Sequence, residues 1–470
     1  MIRALVTASA IISILQTPLA SESRQATGVM VGEVSSDSAV VRMRLTAKGA
    51  RNHSGVIRRG TPLGPLRAGI TVDDLEGACP GATGRVRIRY STSPDLENAR
   101  TSEWVNVSPD TDYAHQFRLT GLQPATKYHF AAETKDKDGT NDPLLGSFRT
   151  APAPDQYGDV TFTVITGQKY RNVDHTDGYT IYESMLALEP HFIVPTGDTV
   201  YYDSCDPRAS TIPIARYHWH RMYSYQRHVD FHLRVAGYWL KDDHDSYYND
   251  GWPTLVPEVM LPLTYADGLQ VFREQVPQAP KAYRTYRWGT ALQVWLVEGR
   301  DFRSPNTMTD GPEKSIWGAE QKAWLKRTLL ESDANWRILC SPTPIVGPDR
   351  SSKADNHSNK AFSHEGNEFR AWAKENVADN FFIVCGDRHW QYHSVHPTTA
   401  LHEFSCGPTT DRHAGGSPGE DAIYHRYHRE AGGFLSVSVR KLSDSESSRI
   451  TFRFHDMFGR ALYEYQRVKS

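Results

Sequence analysis

The spacing of apolar positions changes character about a third of the way along the chain. Up to residue 150 the pattern is that of strands. Residues 38–45 have strand character, and 85–90 alternate strictly, as a half-buried strand does. Residues 115–119, 128–132 and 146–149 continue the series. The stretch 51–80 is longer than a sandwich loop should be and reads as an insertion. Ala151-Pro152-Ala153-Pro154-Asp155 then marks a linker over 151–157. Beyond it, short apolar runs at 160–165, 191–196, 292–297, 337–340 and 381–385 predict buried strands. Helical spacing at 179–188, with Asp177 as its N-cap, and at 319–330 and 367–374 separates them. Strands return at 434–440 and 450–455. The order implies a small all-β sandwich over 25–150, then an α/β domain over 158–470 with a layered sheet flanked by helices.

Composition narrows this little. With 470 residues, 39% hydrophobic and 23% charged, the chain is an ordinary soluble globular protein of two or three domains. A formal net charge of −2 gives no reason to expect a nucleic-acid partner or an anionic membrane. At the N-terminus, Arg3, the apolar stretch 4–15 and Pro18-Leu19-Ala20 form a secretory signal pattern over 1–20. No later apolar run reaches the ~18 residues that span a membrane. A soluble product, periplasmic or secreted, is expected. The five cysteines show no metal or redox spacing, and Cys340 and Cys385 end apolar runs as buried thiols do. Nothing in the sequence specifies an oligomeric state.

The chemistry concentrates in four segments: Thr166-Gly167-Gln168-Lys169-Tyr170, Gly197-Asp198 through Asp203, Lys241-Asp242-Asp243-His244-Asp245, and Gly386-Asp387-Arg388-His389. Each is a weak signal alone. Together they place carboxylates and imidazoles after predicted strands, where open α/β sheets hold their ligands. Ester hydrolysis needs an activated water and charge neutralisation, and two metal ions ~4 Å apart provide both.

The order Gly-Asp-x-x-Tyr, Asp-Asp-His, Gly-Asp-x-His resembles the PhoD-like branch of the calcineurin-like metallophosphatases. Arg300-Asp301-Phe302-Arg303 and Trp317 to Leu325 extend the likeness, which covers about 158–470. Residues 119–128 resemble the corner of a fibronectin type III domain. The resemblance implies that Asp198 bridges two metals, that Tyr201 and His389 serve a softer ion, and that Asp243 and Asp387 hold a harder one. An oxygen-rich set suits Ca²⁺, with Mg²⁺ or Mn²⁺ as alternatives. It also implies that His244 protonates the leaving oxygen. In the family pattern a cysteine follows the first strand; Gly167 stands there instead. The second metal, Fe, Zn or Mn, is thereby left open, and a nearby side chain filling in is one outcome.

For substrate, Arg300, Arg303, Arg388 and Lys169 are candidates to hold an anionic group. Trp390, Tyr392 and Trp239 are candidates to stack on a sugar, and His357, His364 and His413 to touch substrate. The leading expectation is an exported metal-dependent phosphoester hydrolase acting on a small-molecule or oligosaccharide ester. A metal-dependent sulfatase acting on sulfated polysaccharide is the first alternative, and a non-catalytic glycan-binding protein the second.

Overall fold

A computed structural model describes residues 22–58, 64–442 and 447–469. The signal pattern at 1–20 lies outside them. Two sheets face each other. The first has nine strands, in the order Ala461–Lys469, Ser448–His455, Phe434–Lys441, Val160–Ile165, Phe192–Pro195, Ala236–Gly237, Met30–Gly32, Ser38–Arg44, Ala114–Thr120. The second has seven, and its parallel centre is Leu292–Leu296, Trp336–Ser341, Phe381–Cys385 and His402–Cys406. Apolar runs became central strands because both faces of each are covered. Phe162, Val164, Phe192, Val294, Ile338, Phe382 and Val384 fill the space between the sheets. Helices Ile181–Leu186, Ile212–Tyr223, Gln226–His232 and Tyr265–Gln275 share a core that includes Ile165 and Ile193 of the first sheet, and Gly318–Glu331 and Ser363–Asn376 share one with Trp295, Leu339 and Ile383 of the second. The architecture is the layered α/β arrangement that the pattern predicted.

Asp177 does not cap the first helix. Thr180 holds the N-cap position, and its N–H donates to Asp174 Oδ1 at 3.0 Å.

The N-terminal strands form a sandwich with Gly84–Ser91, Lys127–Asp136 and Leu144–Arg149 around Val31, Val41, Met43, Val86, Ile88 and Phe130. Val86, Ile88 and Tyr90 are buried on one side of the alternating strand. The Tyr128 hydroxyl accepts the Gln123 N–H at 2.9 Å and closes the corner seen in the sequence. The expected boundary at 151–157 runs across a shared structure. Gly32 pairs in parallel with Gly237, so one face of the sandwich is continuous with the α/β sheet. Ala151 is buried, and its N–H donates to the Ser35 carbonyl. Glu33, 4% exposed, takes two hydrogen bonds of 2.6 Å from Arg284 on the edge of the second sheet, and one from Tyr286. Removing one partner of a buried ion pair leaves the other charge unpaired, at a cost of about 3–5 kcal/mol. Glu33→Ala is therefore expected to lower the unfolding midpoint markedly while the chain still unfolds in one calorimetric transition. A separate early transition for the sandwich would contradict this seam.

Candidate metal centre

Strands Val160–Ile165, Phe192–Pro195 and Phe381–Cys385 end at Thr166, Thr196 and Gly386, and the four chemistry-bearing segments meet there. Thr166 Oγ1 donates to the Gly197 carbonyl and accepts from the Asp387 N–H. The Gln168 N–H donates to the Asp198 carbonyl at 2.8 Å. Asp245 staples the second segment to the third by accepting from the Thr199 and Asp242 N–H groups at 3.1 and 2.6 Å. A Cβ at Gly197 would lie 2.5 Å from Asp242 Cβ, so only glycine allows this approach. Asp198 and Asp387 both adopt left-handed backbone, with φ of 55° and 62°. A sparsely populated conformation at two aspartates, each following a glycine at a strand end, is strain held in place by these loop contacts.

Asp198, Asp242 and Asp387 offer oxygens within 4.8 Å of one another, and Asp198, Asp243 and His244 form a second such group sharing Asp198. Asp198, Tyr201, Asp242 and Asp243 are buried and make the floor. Lys169, His244, Asp387, His389 and His413 are partly open and make the mouth. Burial and the neighbouring Asp243, Asp242 and Asp245 push the Asp198 carboxyl well up, against the opposing pull of His244. Burial likewise raises Asp242 to about 7, though Arg300 opposes it. For Asp243 burial is outweighed by His244, Arg300 and Lys353, which hold it well below the usual carboxylate range. Asp198 Oδ1 and Asp242 Oδ2 are buried without a hydrogen-bond partner among the described residues, while Asp387 Oδ2 abuts the Arg388 guanidinium. Closely spaced carboxylates, two of them with a buried oxygen left unpartnered, fit divalent cations.

A second group of polar side chains gathers at the Tyr201 hydroxyl. Asp198 Oδ2 lies 3.1 Å from it, His413 Nε2 2.7 Å and His389 Nε2 3.4 Å. Burial and the cations Arg388, His244 and Lys169 lower His389 to about 3, so it stands as a neutral donor. His244 is the opposite case: burial resists its charge, but Asp203, Asp243 and Asp198 hold it well above the ordinary histidine range. Its Nδ1 lies 2.7 Å from Asp203 Oδ1.

Other expected residues settle differently. Arg300 is fully buried beneath the centre, bonded to Asp242 at 2.5 Å. Arg388, also fully buried, pairs with Asp349 at 2.8 Å and abuts Asp387. Arg303 is 4% exposed and donates to the Asp355 carbonyl. None presents a free guanidinium fork to solvent; Arg300 and Arg388 brace Asp242 and Asp387 from behind. Trp390 is 1% exposed, with Arg350 and Arg388 each 5.7 Å from its ring centre, so it offers no open face to a sugar. Trp239 and Tyr392 are core residues bonded to Tyr223 and Glu403. His357 is buried against Trp317 and bonded to Glu365, while His364 is exposed on the first turn of helix Ser363–Asn376. Lys169 does reach the mouth, with Nζ 4.8 Å from the Tyr201 ring centre and 3.0 Å from Ser204 Oγ.

Three residues near the centre carry no assignable signal in the sequence. The resemblance selects Asp243 and passes over its neighbour Asp242. Asp203 closed the second segment, four residues after Thr199, too far to link to His244 by spacing. Arg350, at the rim beside Trp390, lies in a loop without a motif.

The PhoD-like phosphatase family model matches residues 162–433, and the model of that family's N-terminal domain matches 12–152. Alkaline phosphatase D of Bacillus subtilis is 22% identical over 270 residues, half of this chain; the match spans 45% of that relative's length. A solved structure of PhoD superposes with a TM-score of 0.72 at 17% identity, covering 97% of this chain and 94% of the other. A purple acid phosphatase from yellow lupin seeds gives 0.61 at 10% identity, covering 93% and 73%. These two share the fold, and the paired carboxylate turns lie in the region that the family model spans, so the chain belongs to the PhoD-like phosphatase family.

Proposed function

We propose that this protein is an exported, metal-dependent hydrolase of phosphate esters of the alkaline-phosphatase kind, working in the periplasm or outside the cell. The observation that carries the reading is the close group of Asp198, Asp242 and Asp387 carboxylates, two of which, Asp198 and Asp242, keep a buried oxygen without a partner among the described residues on the floor of a partly open site. Asp198, Asp242, Asp243 and Asp387 make an oxygen set suited to Ca²⁺, with Mg²⁺ or Mn²⁺ close behind. Tyr201 and His389 suit a borderline ion such as Zn, Mn or Fe. Ions held there would supply Lewis acidity and lower the pKa of a water. The chain's own residues do the rest. Lys169 and Arg350, cationic at the rim, draw in an anionic ester. His244, kept protonated by Asp203, hands a proton from its free Nε2 to the departing oxygen. Arg300 and Arg388 fix the carboxylates rather than the substrate.

The test is a substrate panel on chelated protein resupplied with Ca²⁺, Mn²⁺ or Zn²⁺. Turnover of p-nitrophenyl phosphate or its diester, dependent on added ion, is expected. Turnover of sulfate esters alone would replace this reading with a sulfatase, and no bound metal with no turnover would replace it with a binding protein.

A further inference from the structure

We propose that His413 is a ligand of the ion held beside Tyr201 and His389, occupying the space that a side chain at position 167 would otherwise fill. The inference rests on the metal-dependent reading above and names a donor that reading lacks. His413 ends the short helical turn Asp411–His413, far in sequence from the four segments. Its Nε2 is 2.7 Å from the Tyr201 hydroxyl, the shortest of the three contacts gathered there, and its ring centre is 4.0 Å from that of His389. In a site with metal–nitrogen and metal–oxygen bonds near 2.0–2.2 Å, neighbouring donors stand about 3 Å apart. The separations of 2.7, 3.1 and 3.4 Å around Tyr201 Oη have that scale. Asp198, which belongs to this group through Oδ2, keeps Oδ1 buried and without a partner among the described residues.

Gly167 explains why the imidazole fits. Its φ is +65°, and a Cβ there would lie 3.3 Å from His413 Cδ2 and 3.4 Å from His389 Cδ2. A side chain at 167 would thus press on the His413 ring and touch that of His389. The donor loops are also tied together through their backbones. Thr409 Oγ1 donates to the Gly167 carbonyl at 3.1 Å, and the Gly415 N–H donates to the His389 carbonyl at 3.1 Å. Arg412 donates to the Val173 carbonyl at 2.5 Å, and the Arg412 carbonyl accepts from Asn172. His413 is therefore aimed before any ligand arrives, as a metal donor needs to be. Two imidazoles, a phenolate and a carboxylate form a borderline set that selects a first-row transition ion over Ca²⁺.

The experiment uses the chelated full chain, titrated with Co²⁺ in the presence of Ca²⁺, with visible absorption and elemental analysis as readouts. Wild type is expected to take up one Co²⁺ with a d–d spectrum. His413→Ala and His413→Gln should weaken that uptake by at least about 100-fold, since even outer-shell partners cost 10–100-fold. His413→Cys should retain the ion with a new thiolate charge-transfer band. The glutamine variant keeps length and polarity, and far-ultraviolet dichroism shows whether each variant is folded. Unchanged Co²⁺ affinity and spectrum in folded His413→Ala would overturn the proposal, whatever happens to KM. A wild-type protein that binds no transition ion would instead overturn the two-metal reading beneath it.

Discussion

Asp198→Asn is expected to lower turnover of phosphate esters by at least about 10³-fold and to reduce bound metal in the same step. Lewis-acid activation supplies several kcal/mol of barrier lowering, and each 1.36 kcal/mol is a factor of ten. Asp198 belongs to the close group with Asp242 and Asp387 and also contacts the Tyr201 hydroxyl, so both of the proposed ions would depend on it. Asparagine is the right probe because it tolerates the left-handed backbone that Asp198 adopts at φ 55° and has almost the same shape. The same variant makes a second, opposite prediction for the metal-free protein. Burial and the neighbouring carboxylates raise the Asp198 carboxyl well above its ordinary value. The folded chain therefore holds that proton more tightly than the unfolded chain. Its contribution is present below the ordinary carboxylate range and is lost as pH rises towards the folded value. Asparagine carries no such liability. Chelated Asp198→Asn should melt higher than chelated wild type, by a margin that opens with rising pH, and the order should reverse once metal is restored. Melting curves with and without chelator read this directly. A variant that kept full turnover, or that melted lower without metal, would remove Asp198 from the centre.

Part of this is legible in the amino-acid sequence alone. Phe381–Cys385, Val160–Ile165 and Phe192–Pro195 were readable because strands covered on both faces become unbroken apolar runs. The Gly-Asp turns were readable because a strand that stops at glycine exposes whatever follows. Helix Ile212–Tyr223 was not readable. His218, His220 and Arg221 are buried along with its apolar residues, so it has no polar face and no 3.6-residue stripe. The shared sheet was equally hidden, since the pairing of Gly32 with Gly237 joins positions that carry no local pattern. Trp390 and Arg388 looked like substrate contacts in the sequence because residue type alone cannot show that their side chains are covered. His413 stood in a polar loop, and only folding brings it to Tyr201.

His244→Asn is the variant that separates proton transfer from metal binding. General acid assistance is worth roughly 10²–10⁴-fold, and only where the leaving group needs the proton. An alkyl phosphate, which departs as a basic alkoxide, should lose about that much. p-Nitrophenyl phosphate, whose leaving group is already stable as an anion, should lose far less. A pH profile adds an independent check. Burial opposes the charge on His244, but Asp203, with Asp243 and Asp198, holds it well above the ordinary histidine value. The acid form therefore persists to higher pH than that of a free histidine, with Asp203 the one of these carboxylates that lies outside the metal set, and activity on alkyl esters falls once that proton is lost. Asp203→Asn removes the carboxylate 2.7 Å from Nδ1, so the alkaline limb should move to lower pH while turnover at its plateau changes less. Equal losses on both substrates in His244→Asn, or an alkaline limb that stays in place in Asp203→Asn, would show that His244 does not supply the proton and leave it a neighbour of Asp198 and Asp243 alone.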